Sequence, residues 1–203
     1  MDLDRPVEEL WHERAEQVLY DTYAGVPLSK FPEDLRTYEH ILWHCEVDVV
    51  VELGTNAGGS ALWFRDRLRD FAAYREGGRT QVISVDLGVD AATHALAAVD
   101  PDYARTITLL SGDVRDPGLA EQVAGLVPAG VSCLVIDDSG HTYETTRAAL
   151  DGFSGLVRPG GFFVVEDGCV DIEQMRVRDD WPRGVLPAVA DWLATEPGSC
   201  FLS

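Results

Sequence analysis

Positive charge is scarce in this chain of 203 residues: 16 Lys plus Arg stand against 35 Asp plus Glu, for a formal charge of -19. A surface this anionic repels phosphate backbones and anionic lipid headgroups, which argues against nucleic-acid and membrane partners and for a cationic or polyhydroxyl ligand or a divalent metal. Lysine is rarer still. Lys30 is the only one, the other 15 basic residues being arginines, which reads as the codon usage of a GC-rich genome. Four cysteines, Cys45, Cys133, Cys169 and Cys200, form no C-x-x-C pair, so neither a zinc knuckle nor a redox motif is expected. The start, Met1 to Pro6, has no basic segment leading into an apolar one, and no later run approaches the roughly 18 apolar residues of a membrane span. A soluble, cytoplasmic protein is therefore expected. Internal repeats and low-complexity linkers are also missing.

What is present is 46% hydrophobic residues, enough for one sizeable core. Trp11, Ala15, Val18 and Leu19 share a face over residues 7–23 and predict an amphipathic helix. Leu35, Tyr38, Ile41 and Leu42 predict a second from about Pro32 to Cys45. The segment 1–46 thus reads as helical, a cofactor lid or an oligomer contact in a homo-oligomer. From 47 to 203 short apolar runs alternate with helical stretches near 58–73, 90–99, 117–126 and 142–156. The runs are Asp48–Glu52, Val82–Asp86, Ile107–Ser111, Cys133–Asp137 and Phe162–Glu166. Nearly continuous apolar strands in strict βα alternation predict an α/β fold with a doubly wound, mainly parallel sheet.

Seven acids lie at or just after these strands: Glu52, Asp86, Asp113, Asp137, Asp138, Glu166 and Asp167. In a parallel sheet the carboxyl ends share one edge, where open α/β folds bind ligands. The bland alternative is that some cap the following helices. The first turn carries Glu52, Gly54, Thr55, Gly58, Gly59 and Ser60. It lacks the Gly-Lys-Ser/Thr of a P-loop, and its G-x-x-x-G-G spacing poorly matches G-x-G-x-x-G. S-adenosylmethionine (SAM) suits the acids better, having no phosphate, two cationic groups and a ribose diol. Asp86 is then placed for the ribose hydroxyls, Asp113 and Val114 for the adenine border, and Asp137 joins the cofactor set. Asp138 after the fourth strand and Glu166 with Asp167 after the fifth supply three oxygen donors and no soft ligand, a set that selects Mg²⁺ or a similar hard cation. A vicinal diol could complete the coordination. His141, three residues beyond Asp138, is a candidate base.

At these residues the sequence resembles the cephalosporin hydroxylase family of class I methyltransferase folds, which includes metal-dependent O-methyltransferases of macrolide and other natural-product sugars. The resemblance runs from about Gly25 to Leu193. It is carried by Gly25-Val-Pro-Leu-Ser-Lys30-Phe-Pro32-Glu-Asp34-Leu, Val51-Glu52-Leu-Gly54 with Gly58-Gly59-Ser60-Ala61-Leu62, Asp138-Ser139-Gly140-His141 and Val164-Val165-Glu166-Asp167. It implies SAM and Mg²⁺ as cofactors, Asp138, Glu166 and Asp167 as metal ligands, His141 as base, and a glycosylated metabolite or other diol as the small-molecule acceptor. The alternatives are a hydroxylation or methoxylation component for a β-lactam and a catalytically silent SAM-binding subunit. In that family an antiparallel hairpin closes the sheet, and here it is expected to be missing or incomplete, because Cys200-Phe-Leu-Ser203 falls where it would begin. An uncovered edge would invite another subunit. Cys169 to Gly184 reads either as an irregular loop over the acceptor, with Arg176 and Arg178 as candidate substrate contacts, or as a solvated connection. Trp11, Tyr20 and Tyr23 read as core.

Overall fold

The computed structural model describes residues 5–201; the expectations for Met1–Asp4 and for Leu202 and Ser203 lie outside them. Helix α1 (Val7–Val18) ends five residues before the expected boundary. Its continuation is taken by a small antiparallel hairpin, β1 (Thr22–Tyr23) and β2 (Val26–Pro27). The two-residue turn holds Ala24 and Gly25 at φ 50° and 85°. Such a turn needs positive φ at both central positions, and Gly25 supplies one at no steric cost.

Helix α2 (Pro32–His44) starts on a proline, whose missing N–H costs nothing in a first turn, and carries Glu33 and Asp34 at its positive end. Then follow β3 (Val49–Leu53), α3 (Gly59–Ala72), β4 (Gln81–Asp86), α4 (Asp90–Val99), β5 (Ile107–Ser111), α5 (Pro117–Leu126), β6 (Cys133–Asp137), α6 (Tyr143–Phe153), β7 (Phe163–Val165) and α7 (Val185–Leu193). Asp116 caps α5 by accepting from Gly118 N, and Thr142 with Thr145 forms a capping box on α6. Helix α7 is absent from the sequence reading. Its buried face, Val185, Ala188 and Trp192, has helical spacing but is short and carries Pro187 near its start.

The five expected strands form one parallel sheet in the order β5-β4-β3-β6-β7. All five residues of the central strand β3 are buried. Successive side chains go to opposite faces: Val50 joins Leu42, Phe64, Leu68 and Leu134 in one core cluster, while Val49 and Val51 join Ile83, Val123, Val135 and Phe153 in the other. Each fully buried aliphatic side chain contributes about 1.5–3 kcal/mol, so the two clusters fix which face each helix covers. Residues 26–42 share the first cluster with β3 and α3. Strand β7 is an edge, and among the described residues no strand pairs with its outer side. After α7 comes a short 3-10 turn, Gly198–Cys200, rather than a hairpin strand.

The winding reverses between β3 and β6, and there the ladder runs past the strands. Asp138 N donates to Leu53 O at 2.8 Å, Gly54 N to Val85 O at 2.8 Å and Glu166 N to Asp137 O at 2.9 Å. The first residue after each strand is thereby held level with its neighbour. Gly54 sits at φ 114°, and a Cβ there would stand 1.9 Å from the Asp138 carbonyl oxygen. Gly54→Ala is expected to cost more than about 2 kcal/mol, from positive φ and backbone collision together. Urea unfolding measures it; a loss below about 0.5 kcal/mol, the range of an ordinary surface change, would contradict the close approach.

Candidate active site

The strand ends at this reversal open into a cavity of ≈ 710 Å³, within the range of small-molecule sites. Gly54, Asn56, Asp86, Leu87 and Gly88 line one side, and Asp138, His141, Asp167 and Cys169 line another. The apolar stripe of α1, Trp11, Ala15, Val18 and Leu19, lines it as well. Of these residues Trp11 alone reads as core from the sequence, and it lines the cavity with the rest of the stripe. Trp11 stacks on Phe31 with centroids 5.0 Å apart, and its Nε1 donates to Met175 O at 2.7 Å. Tyr20 is 83% exposed, contrary to its expected core position, and Tyr23 donates its hydroxyl to Asp66.

Asp86, at the end of β4, accepts from Asn56 N at 2.8 Å and from Leu87 N at 2.7 Å. An ionised carboxylate has about four acceptor positions, so two backbone donors leave room for a diol. Beneath it Glu52 is fully buried. Ser84 Oγ donates to its Oε2 at 2.6 Å and shares a 2.7 Å hydrogen bond with Thr55, while Glu52 Oε1 has no partner. Burial pushes the Glu52 carboxyl up to about 7, against the pull of Lys30, Ser60 and Ser84. Gly58, at φ 88°, opens α3, whose buried first turn includes Ser60. Asp137 is buried and accepts from Ser139 Oγ at 2.6 Å; burial raises its pKa. Asp113 takes a different place. Its carboxylate is paired with Arg115 at 2.5 Å and held down to about 2, and neither it nor Val114 is among the lining residues of the large cavity.

The remaining acids gather at the ends of β6 and β7. Single ligand atoms of Asp138, His141 and Asp167 all lie within 4.8 Å of one another. His141 Nε2 is 3.3 Å from Asp167 Oδ2 and 3.9 Å from Asp138 Oδ1. Asn56, His141 and Asp167 have φ of 47°, 51° and 55°, and all three line the cavity. Non-glycine residues held in this region tend to mark sites where geometry matters more than local stability. Glu166 stands on the other side of Asp138 and lines an adjoining pocket of ≈ 250 Å³.

Between Asp138 and Glu166 lies the residue that the sequence reading leaves without a role. Lys30, almost wholly buried, places Nζ 2.6 Å from Asp138 Oδ2 and 2.7 Å from each Glu166 oxygen. Tyr38 donates its hydroxyl to Glu166 Oε1. Burial opposes the Lys30 charge, but the attraction of Asp138, Glu166 and Glu52 outweighs it and the pKa is raised. Burial likewise raises the pKa of Asp138, Glu166 and Asp167, each partly relieved by Lys30. When ionised, three carboxylates facing one ammonium leave two negative charges, and their oxygens fit a hard divalent cation.

Arg176 corrects another expectation. It is buried, and its guanidinium donates to the carbonyls of Val170 at 2.6 Å, Asp179 at 2.9 Å and Trp181 at 2.7 Å, so both terminal nitrogens are spent on its own loop. The segment it crosses is a stapled loop rather than an irregular one. Arg178 is exposed and contributes only its carbonyl, at 3.3 Å.

The family model described as Rhamnosyl O-methyltransferase/CmcI matches residues 16–202. A rhamnosyl O-methyltransferase of Mycobacterium tuberculosis is 28% identical over 155 residues, which cover 74% of this chain and 58% of that protein. The solved structure of CmcI with Mg and SAM is 27% identical with a TM-score of 0.56, covering 73% of this chain and 58% of the other. The methyltransferase MycE, solved with Mg, SAH and mycinamycin VI, is 19% identical with a TM-score of 0.55, covering 94% and 49%. The chain thus spans just over half the length of the curated relative, and its sheet has the class I methyltransferase fold of these structures.

Glu52 gives this region a pH dependence. Its pKa is 4.5 in an open chain and about 7 in the fold, so between those values the folded state binds more protons and stability falls as pH rises. The deficit is complete above the folded value and amounts to about 3 kcal/mol. Glu52→Gln is expected to remove this slope and to be more stable than the parent at about pH 8, with the difference gone near pH 4.5. Urea unfolding across that range checks it; an unchanged slope would assign the titration elsewhere.

Proposed function

The chain belongs to the Rhamnosyl O-methyltransferase/CmcI family, and from that premise we propose that it transfers a methyl group from SAM to a hydroxyl of a sugar on a small secondary metabolite, with a magnesium ion at the acidic cluster. The observation that carries this reading is the single cavity lined by Gly54 and Asp86 at one side and by Asp138, His141 and Asp167 at the other. Cofactor and acceptor would meet inside it. The relatives support the same chemistry: a rhamnosyl O-methyltransferase, and structures holding Mg with SAM or with SAH.

When bound, SAM supplies an electrophilic methyl group and the divalent ion polarises the acceptor hydroxyl. Asp86 accepts from the ribose hydroxyls on the lone pairs left by Asn56 and Leu87, and the bare backbone of Gly54 lets the cofactor pass close to the sheet. The rest of the first turn, Glu52, Thr55, Gly58 and Ser60, shapes the cofactor floor with Asp137. Asp113 and Val114 would border the adenine only from outside the cavity lining, with Asp113 held on Arg115. Asp138, Glu166 and Asp167 would hold the ion, the Glu166 oxygens, now on Lys30, sharing it through their remaining lone pairs. His141 Nε2 takes the hydroxyl proton. The roof of α1 and the stapled loop 169–182 exclude water, which strengthens every charge interaction beneath them. Trp11, Phe31 and Trp181 offer flat apolar surface on which a sugar ring or aglycone can rest.

His141→Ala is expected to lower kcat by about 10²- to 10⁴-fold, the usual contribution of a positioned base, with SAM affinity retained. EDTA should abolish transfer and added Mg²⁺ restore it. Calorimetry with SAM, then a radiolabelled methyl assay on a panel of rhamnosides and other glycosidic diols, makes the measurement. Full turnover in the His141 variant would remove the base assignment, transfer in EDTA would remove the metal, and SAM binding without transfer to any acceptor would leave a silent binding subunit.

A further inference from the structure

We propose that Lys30 is a specificity-determining residue for the metal, an internal ammonium that holds one oxygen of Asp138 and both oxygens of Glu166 and so opposes chelation of an ion through the two oxygens of either acid. The inference rests on the metal reading above. Lys30 Nζ takes Asp138 Oδ2 at 2.6 Å, which leaves Oδ1 on the side facing His141. It takes both Glu166 oxygens at 2.7 Å, and Tyr38 adds a donor to Oε1. For either acid to chelate an ion through both oxygens, it would have to leave an ammonium whose side chain is only 2% exposed.

That restriction separates two common cations. Mg²⁺ demands octahedral geometry with oxygens at about 2.0–2.1 Å and is served by one oxygen per carboxylate, whereas Ca²⁺ takes about 6–8 oxygens at longer range and readily uses both oxygens of a carboxylate. With Lys30 in place the acids offer too few oxygens for the larger ion. The residue type also matters. Of 16 basic residues, 15 are arginines, yet this position carries lysine. A compact ammonium can serve three oxygens that converge on one point, which the broad fork of a guanidinium cannot.

Lys30→Met removes the ammonium while keeping most of the stem. Calorimetric titration of SAM-free protein with MgCl₂ and with CaCl₂ gives the ratio of the two affinities. The variant should move that ratio toward Ca²⁺ by about tenfold or more, the scale on which partners behind metal ligands act. Its melting temperature should also fall in EDTA and recover in CaCl₂, since the carboxylates have lost their internal counter-charge. A Lys30→Met ratio equal to that of the parent would overturn the proposal. If this variant does not fold even with CaCl₂, Tyr38→Phe, which keeps the ammonium and frees one Glu166 contact, should shift the ratio in the same direction by less; no shift there overturns it. Failure of the parent to bind either ion is a different result, which overturns the metal reading itself and this role with it.

Discussion

A buried ammonium set between two carboxylates is the contact on which this end of the molecule depends. Acids at neighbouring strand ends repel one another, and burial raises that repulsion because little solvent is left to screen it. Lys30 answers it from outside the sheet, on the segment between the hairpin β1-β2 and α2. The N-terminal part of the chain is therefore bound to the catalytic edge by charge as well as by the apolar contacts of Val26, Leu28, Tyr38 and Leu42. Removing a partner from such a group costs far more than the net worth of the pair, because it strands a buried charge.

The second constraint is in the backbone. Parallel pairing carried one residue beyond the strands brings Gly54 against the Asp138 carbonyl, and only a residue without a Cβ can occupy that place. Asn56, His141 and Asp167 accept left-handed conformations around the same opening. Local stability is given up where the side chains must converge, and the two core clusters on either side of β3 offset it.

The sheet was legible because its strands are continuous apolar runs of the right length, and the four helices that follow β3, β4, β5 and β6 because their apolar spacing is regular. The acidic edge followed from topology alone, since all parallel strands end on one side. The hairpin β1-β2, helix α7 and the roles of three residues escaped. Trp11 reads as core because an apolar cavity wall has the same periodicity as a core face. Arg176 looks like a substrate contact because sequence cannot tell an arginine that meets solvent from one that collects its own loop's carbonyls. Lys30 lies more than a hundred residues from Asp138 and Glu166, so no local pattern links them. Its one available signal was singularity, a lysine surviving in a chain that otherwise uses arginine, and that signal points to a residue without naming its partners.

The staple formed by Arg176 has a consequence for motion. Carbonyls from Val170 to Pro182 converge on one guanidinium, so the segment cannot fray residue by residue: releasing one carbonyl leaves the rest in place, and releasing the guanidinium frees them together. Such a segment behaves as a cooperative unit, shut or detached, with its hinges outside the staple. Asp167 and Gly184, at φ 55° and 127°, bracket it. Asp167 is itself a cavity-lining acid, so release of the whole segment would be felt at once by the charged cluster on its boundary.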